Sequence, residues 1–214
     1  MSVNRREIID ETYLTFCEAE GNQHIASRYA IQKIIELLRR FKPDSVLEVG
    51  LGIGSISGTI LRVFDDKNLK LYGTENNQFC LEALKNNLGE DYKSLNIYSD
   101  LKAIKGNVKF DLVIVDGGDT NLEIIKNKIS DNGIIIIEGD RKNQLKLLKE
   151  YFPDHLYVHS ISKRKNLEMA PFPSKNWEGG VKLIFINPNF KQKIYWLREK
   201  FQTKMRYSYR ALRA

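Results

Sequence analysis

Through the first 40 positions apolar residues recur every three or four places, and from residue 44 onward they gather into short continuous blocks. Ile8, Ile9, Tyr13 and Phe16, then Ile31, Ile34, Ile35 and Leu38, fall on one face of a 3.6-residue helix, so two helices are expected, parted at Gly21 and Asn22. The later blocks read as strands: SVLEV (45–49), LKLYGT (69–74), SLNIY (94–98), FDLVIV (110–115) and GIIIIE (133–138). Helical segments are expected between them near 55–65, 77–88, 119–129 and 141–151. Unbroken runs such as IIII suit strands covered on both faces, and strands alternating with helices build a parallel sheet with right-handed crossovers.

After Pro153 the order changes. HLYVHSIS (155–162) and GGVKLIFINP (179–188) follow one another without a helix, joined by KRKNLEMAPFPSKNWE, and such strands pair antiparallel. The expected fold is α/β: a doubly wound, Rossmann-like seven-stranded sheet, mostly parallel, with a C-terminal antiparallel hairpin and helices on both faces.

A chain of 214 residues, 42% apolar and 29% charged, is expected to form one domain. Within it, residues 1–40 form a helical segment packed on or capping the core, 41–188 the core, and 189–214 a basic amphipathic helix. The N-terminus lacks the apolar stretch of a signal peptide and no run is long enough to span a bilayer, so a cytoplasmic protein is expected. Cys17 and Cys80 stand far apart with no ligand cluster around them, and are expected to be reduced packing residues.

The net charge of +7 belongs to the tail: residues 187–214 hold eight Lys or Arg against the single acid Glu199, while the rest holds 26 of each sign. Ile194, Leu197, Phe201, Met205 and Leu212 lie along one stripe of this tail with cations around it. The candidate roles are a helix docked on the body, an anionic membrane surface contact at the periphery of the cytoplasm, and a nucleic-acid contact. The last is disfavoured, because no RNA-binding motif or aromatic platform accompanies the charge.

The candidate chemistry begins at SVLEVGLGIGSISG (45–58), where Gly50, Gly52 and Gly54 follow the first strand at the usual ligand-binding end of a doubly wound sheet. Glycine there permits positive φ and close approach of a ligand to the backbone. A dinucleotide would lay its pyrophosphate on the next helix, where the nearby acid Glu48 is unwelcome; Glu48 therefore points to a ligand carrying positive charge. The dinucleotide fingerprint also wants Gly or Ala where Ser55 stands. Glu75 closes the second strand, placed to accept hydrogen bonds from both hydroxyls of a ribose.

These segments resemble those of the class I S-adenosylmethionine-dependent methyltransferases, over about residues 25–187. VLEVGLGIGS is similar to their first motif, Glu75 to the ribose acid, YSD (98–100) to the adenine-flanking segment and FDLVIVDGG to the fourth-strand motif. The resemblance implies S-adenosylmethionine as cofactor, with Glu48 and Gly50 to Gly54 bordering its methionine part, Glu75 its ribose, Ser99 and Asp100 its adenine, and Asn76 a further cofactor-binding residue. Small-molecule and sugar O-methyltransferases are closest in pattern.

A hydroxyl acceptor must lose a proton, and Asp116 at the end of the fourth strand is the candidate catalytic residue, also touching cofactor. The metal-dependent O-methyltransferases place a divalent ion at this aspartate, which makes Asp116, Glu138 and Asp140 a candidate magnesium set, although Gly139 stands where that family has a ligand. His24, His155 and His159 are alternative bases, the last two expected on one side of their strand. The loop Lys163–Glu178 is expected to shape a small-molecule or glycan acceptor pocket, or to make a homodimer contact. Two alternatives are an NAD(P)-dependent Rossmann oxidoreductase and a non-catalytic cofactor-binding module acting through its basic tail.

Overall fold

A computed structural model describes residues 5–64 and 69–213. The first four residues, the expected end of a helix at 65 and Ala214 of the tail lie outside the described residues.

Two helices open the chain, α1 (Arg5–Glu18) and α2 (Arg28–Phe41). Ser27 caps α2, its hydroxyl accepting from the Ala30 amide at 3.3 Å. Then follow β1 (Ser45–Val49), α3 (Ser55–Val63), β2 (Lys70–Thr74), α4 (Gln78–Leu88), β3 (Leu95–Tyr98) and β4 (Phe110–Val115). The chain continues through α5 (Glu123–Lys128), β5 (Ile129–Glu138), α6 (Lys142–Tyr151), β6 (Leu156–Ile161), β7 (Gly180–Phe185) and α7 (Phe190–Ala211).

The seven strands stand in the order β3-β2-β1-β4-β5-β7-β6. β1, β2, β3, β4 and β5 run parallel, and β7 lies antiparallel between β5 and β6. This is the expected parallel sheet closed by a hairpin. Alternate residues of the central strands feed two cores. Val46, Leu112, Ile134 and Ile136 face α1, α2, α3 and α4, while Leu47, Val113, Ile135 and Ile137 face α5 and α6.

One boundary differs from expectation. The helix foreseen over 119–129 is only Glu123–Lys128, and β5 begins at Ile129, earlier than the expected 133. Ile129 is buried and pairs with Phe110, after which β5 advances five residues, to Ile134, while β4 advances two, to Leu112. Asn132-Gly133 is thus an irregularity inside the strand, where a turn signal suggested its start.

Candidate active site

The carboxyl ends of β1, β2, β4 and β5, with the loops around them, enclose a cavity of about 920 Å³. Gly50, Gly52, Glu75, Asn76, Ser99 and Asp100 line it, as do Asp116 and Glu138. Glu48 and Gly54 do not.

Each loop glycine turns out to face protein. Gly50 (φ +87°) passes so close to Gly117, after β4, that a Cβ would lie 2.3 Å from its Cα. A Cβ on Gly52 would lie 2.6 Å from the His24 carbonyl oxygen, and one on Gly54 2.5 Å from the Leu84 side chain. Gly54 also caps α3 with φ +94° and packs against α4, which removes it from the cavity. The loop is held further by the Gly50 and Leu51 amides, which donate to the Thr74 carbonyl at 3.1 and 3.0 Å.

Glu48 departs most from expectation. It is 2% exposed, and the Ser57 hydroxyl of α3 donates to its Oε2. Burial, with Glu75 adding repulsion, pushes its pKa up to about 8, so near neutrality it is largely protonated. It is therefore a neutral carboxyl beneath the loop, out of reach of a ligand's charge.

Glu75 follows β2 and lines the cavity. Its Oε2 accepts from the Gly52 amide at 2.8 Å, and its Oε1 accepts from the Asn76 and Asn77 amides, each at 2.9 Å. Three backbone donors thus fix its direction at the mouth of the loop, leaving spare acceptor capacity. Asp100 Oδ1 accepts from the Ala103 amide at 2.9 Å, which sets the turn carrying Ser99.

Asp116 sits beside Glu138. Burial first, then Glu138 and Glu48, hold its pKa well above the usual carboxylate range, against the opposing pull of Arg141. Arg141 lies 3.5 Å from Asp116 Oδ1, and its guanidinium donates both to the Asp116 carbonyl and, at 3.0 Å, to the Glu138 carbonyl. Glu138 Oε1 accepts from the Ser27 amide at 3.2 Å, tying the strand end to the start of α2.

This donor set does not fit the magnesium ion considered above. Asp140 is exposed and lies 3.5 Å from Lys142, while the cation Arg141 stands by Asp116. Among the described residues no group of three acids, histidines or cysteines can hold a metal. Of the histidines, His24 lines the cavity. His155 precedes β6 and pairs with the Phe152 carbonyl at 2.5 Å, and His159 meets Tyr207 Oη at 3.2 Å.

Sequence reasoning missed Arg141, Asp119 and Ser27, all of which line the cavity. Asp119 Oδ2 accepts from the Leu101 amide at 3.1 Å. The signal for it was the second acid of VDGGD; nothing local marked Arg141 or Ser27. The β6–β7 loop contributes Asn166, Phe172, Pro173, Asn176 and Trp177 to the cavity wall.

No protein-family model matches the chain. Over 216 aligned positions it is 24% identical to the tRNA N(3)-methylcytidine methyltransferase of Schizosaccharomyces pombe, covering 86% of this chain and 70% of that protein. It is 32% identical over 118 positions to the ribosomal protein L11 methyltransferase of Fusobacterium nucleatum, but that match takes in 49% of this chain and 35% of the relative. Among solved structures, the O-methyltransferase TomG of Streptomyces achromogenes, involved in tomaymycin synthesis and determined in complex with SAM, superposes with a TM-score of 0.61 at 12% identity. That superposition covers 87% of this chain and 92% of TomG. A Bacillus cereus O-methyltransferase in complex with SAH gives a TM-score of 0.61 at 12% identity, covering 86% of this chain and 93% of that one.

Proposed function

We propose that this chain, which has the class I methyltransferase fold and methyltransferases among its sequence relatives, binds S-adenosylmethionine in the cavity and methylates a hydroxyl of a small molecule or sugar. The observation that carries this reading is the sign of the cavity. Five acids line it (Glu75, Asp100, Asp116, Asp119 and Glu138) against a single arginine, Arg141. Such a lining suits a cationic nucleoside and disfavours a pyrophosphate.

The oxidoreductase alternative loses support on a second count. Its phosphates would need the first turn of α3, and Gly54 has carried that turn away from the cavity to α4.

When bound, the cofactor supplies a methyl carbon already activated by its sulfonium. The chain's residues do the rest by holding and aligning. Glu75, aimed by three amides, offers its free acceptor capacity to ribose hydroxyls; Ser99 and Asp100 border the adenine. Asp116, with Glu138 beside it, receives the acceptor's proton. Its raised pKa makes the ionised form a stronger base. A cation entering the cavity favours that ionised form.

A small acceptor is supported by the wall that Phe172, Pro173 and Trp177 build over the cavity. The acids of the lining would repel a phosphate backbone, which weighs against a nucleic acid there.

Calorimetry tests the reading. S-adenosylmethionine and S-adenosylhomocysteine should bind and NAD should not, and Glu75→Ala should weaken the first two about 10- to 100-fold. Measured in buffers of different ionisation enthalpy, the sulfonium form should release protons on binding and the neutral thioether form few. Absence of binding by either at near-millimolar concentration would reject the proposal. With an acceptor found among phenols and sugars, Asp116→Asn should lower kcat by about 10²- to 10⁴-fold while affinity for the neutral S-adenosylhomocysteine holds.

A further inference from the structure

The last helix is docked with its apolar side outward. At 100° per residue, Phe190, Ile194, Leu197, Phe201 and Met205 fall in a sector roughly 80° wide, which Leu212 continues just past the helix end. They are open to solvent: Phe190 is 78%, Leu197 62% and Phe201 65% exposed. The opposite sector, with Gln192, Tyr195, Glu199 and Thr203, is buried.

That inversion is secured by directional contacts. Glu199 lies 3.1 Å from Lys33 of α2 and 2.6 Å from Arg206, and the Ser160 hydroxyl of β6 donates to it. Gln192 Nε2 donates to the Asn132 carbonyl at 2.7 Å, and Trp196 Nε1 to the Tyr157 carbonyl at 2.7 Å. Rolling the helix to bury its stripe would pull Glu199 away from Lys33 and the Ser160 hydroxyl and break the Gln192 and Trp196 hydrogen bonds, so the stripe stays outward. A continuous row of this length is more than the scattered single apolar residues of an ordinary surface.

The charges beside the stripe say what covers it. Lys193, Lys200 and Lys204 border one edge, Lys191 and Arg198 the other, and all five are exposed. The one acid of the helix, Glu199, is on the buried side. A second copy packed through the same helix would set these cations against their own kind with no acid of that helix to answer them. A nucleic acid would meet the cations but leave five or six large apolar side chains in water. An anionic bilayer surface satisfies both, taking the apolar row into the headgroup boundary and the lysines against lipid phosphates.

We infer that α7 is a peripheral membrane anchor that lies in the plane of an anionic lipid surface. The same helix reaches the wall of the cavity: Arg210 donates to the Ser162 and Glu178 carbonyls at 2.7 and 2.9 Å, and Tyr209 meets the Trp177 ring at 6.2 Å. The surface-bound helix therefore holds both ends of the β6–β7 loop. The inference stands apart from the choice of acceptor and from the methyl-transfer reading.

Co-sedimentation of the full chain with vesicles tests it. The protein should sediment with mixed phosphatidylcholine and phosphatidylserine vesicles, stay in solution with phosphatidylcholine alone, and be released by added salt. Changing Lys193, Lys200 and Lys204 together to Glu should lower partitioning by at least about 100-fold, and Leu197→Ser with Phe201→Ser by at least about tenfold. All these side chains are exposed, so melting temperatures should hold and separate lost binding from lost folding. Three results would overturn the anchor: no binding of the wild type to the anionic vesicles, unchanged binding by both variants, or a solution dimer that Phe201→Ser dissociates. Capture of an acidic protein by the stripe, with no vesicle binding, would equally reject it.

Discussion

Glu48 beneath the glycine loop and Glu199 beneath α7 are each 2% exposed, yet they titrate in opposite directions. Glu48 has a serine hydroxyl as its partner, and burial raises its pKa to about 8. For Glu199 burial also pushes upward, but Lys33, the Ser160 hydroxyl and Arg206 outweigh it and its pKa falls below the ordinary value. Burial sets the size of the problem and the partners set its sign. The loop region is shaped by backbone packing around neutral groups, whereas the α7 anchor is a charged network closed on itself.

The largest effect should come from opening that network. Glu199→Ala leaves the buried Lys33 with only the more exposed Glu36 and strips Arg206 and the Ser160 hydroxyl of their acid, and denaturant unfolding should show a loss of about 3–5 kcal/mol. Changing Glu199→Leu together with Lys33→Met should recover part of it, since the apolar pair removes the buried Lys33 charge while Arg206 still lacks its acid.

Next in size is a change to the loop's backbone packing. Gly50→Ala adds a Cβ 2.3 Å from the Gly117 Cα at a φ of +87°, and should cost about 2–4 kcal/mol, with loss of ligand binding in the cavity. A fully stable, ligand-binding Gly50→Ala protein would break the account of the loop.

The last effect is read along pH, where its slope and sign are the test. The folded pKa of Glu48, about 8, exceeds its ordinary 4.5, so the stability it lends is full below about 4.5 and is lost as pH rises through about 8. Glu48→Gln should match wild type in acid and gain on it by up to about 1.4 kcal/mol per pH unit in that window. Glu199, with its lowered pKa, lends stability above the ordinary carboxylate range that is lost as pH falls through its folded value. Unfolding curves of Glu48→Gln and Glu199→Gln should therefore both meet wild type in acid and part from it in opposite directions as pH rises, the first becoming more stable than wild type and the second less.

Most of the fold was legible because strands and helices write their period into nearby residues. The unbroken SVLEV and IIII runs belong to central strands, and the missing helix after residue 162 marks the antiparallel hairpin. The β5 start was not legible, because Asn132-Gly133 reads locally as a turn and only pairing of Ile129 with Phe110 keeps the chain in the sheet. In the site, Glu75, Asn76, Ser99, Asp100 and Asp116 stand where strand ends put them. Asp140 did not, since one residue past Gly139 turns its side chain to solvent beside Lys142. Arg141 went unseen because its partners come from two strands.

By itself the sequence determined the sheet, the end of it that carries the cavity, the acids at the strand ends and the existence of an apolar stripe on α7, because each is a pattern among near neighbours. Only the tertiary structure decided what the glycines of SVLEVGLGIGSISG lie against: Gly117, the His24 carbonyl and Leu84. It also decided that Glu48 is neutral and that α7 buries its polar side. These depend on groups distant in sequence, for the charge of a buried acid and the docked face of a helix follow from the partners that meet them, and local periodicity carries no record of those.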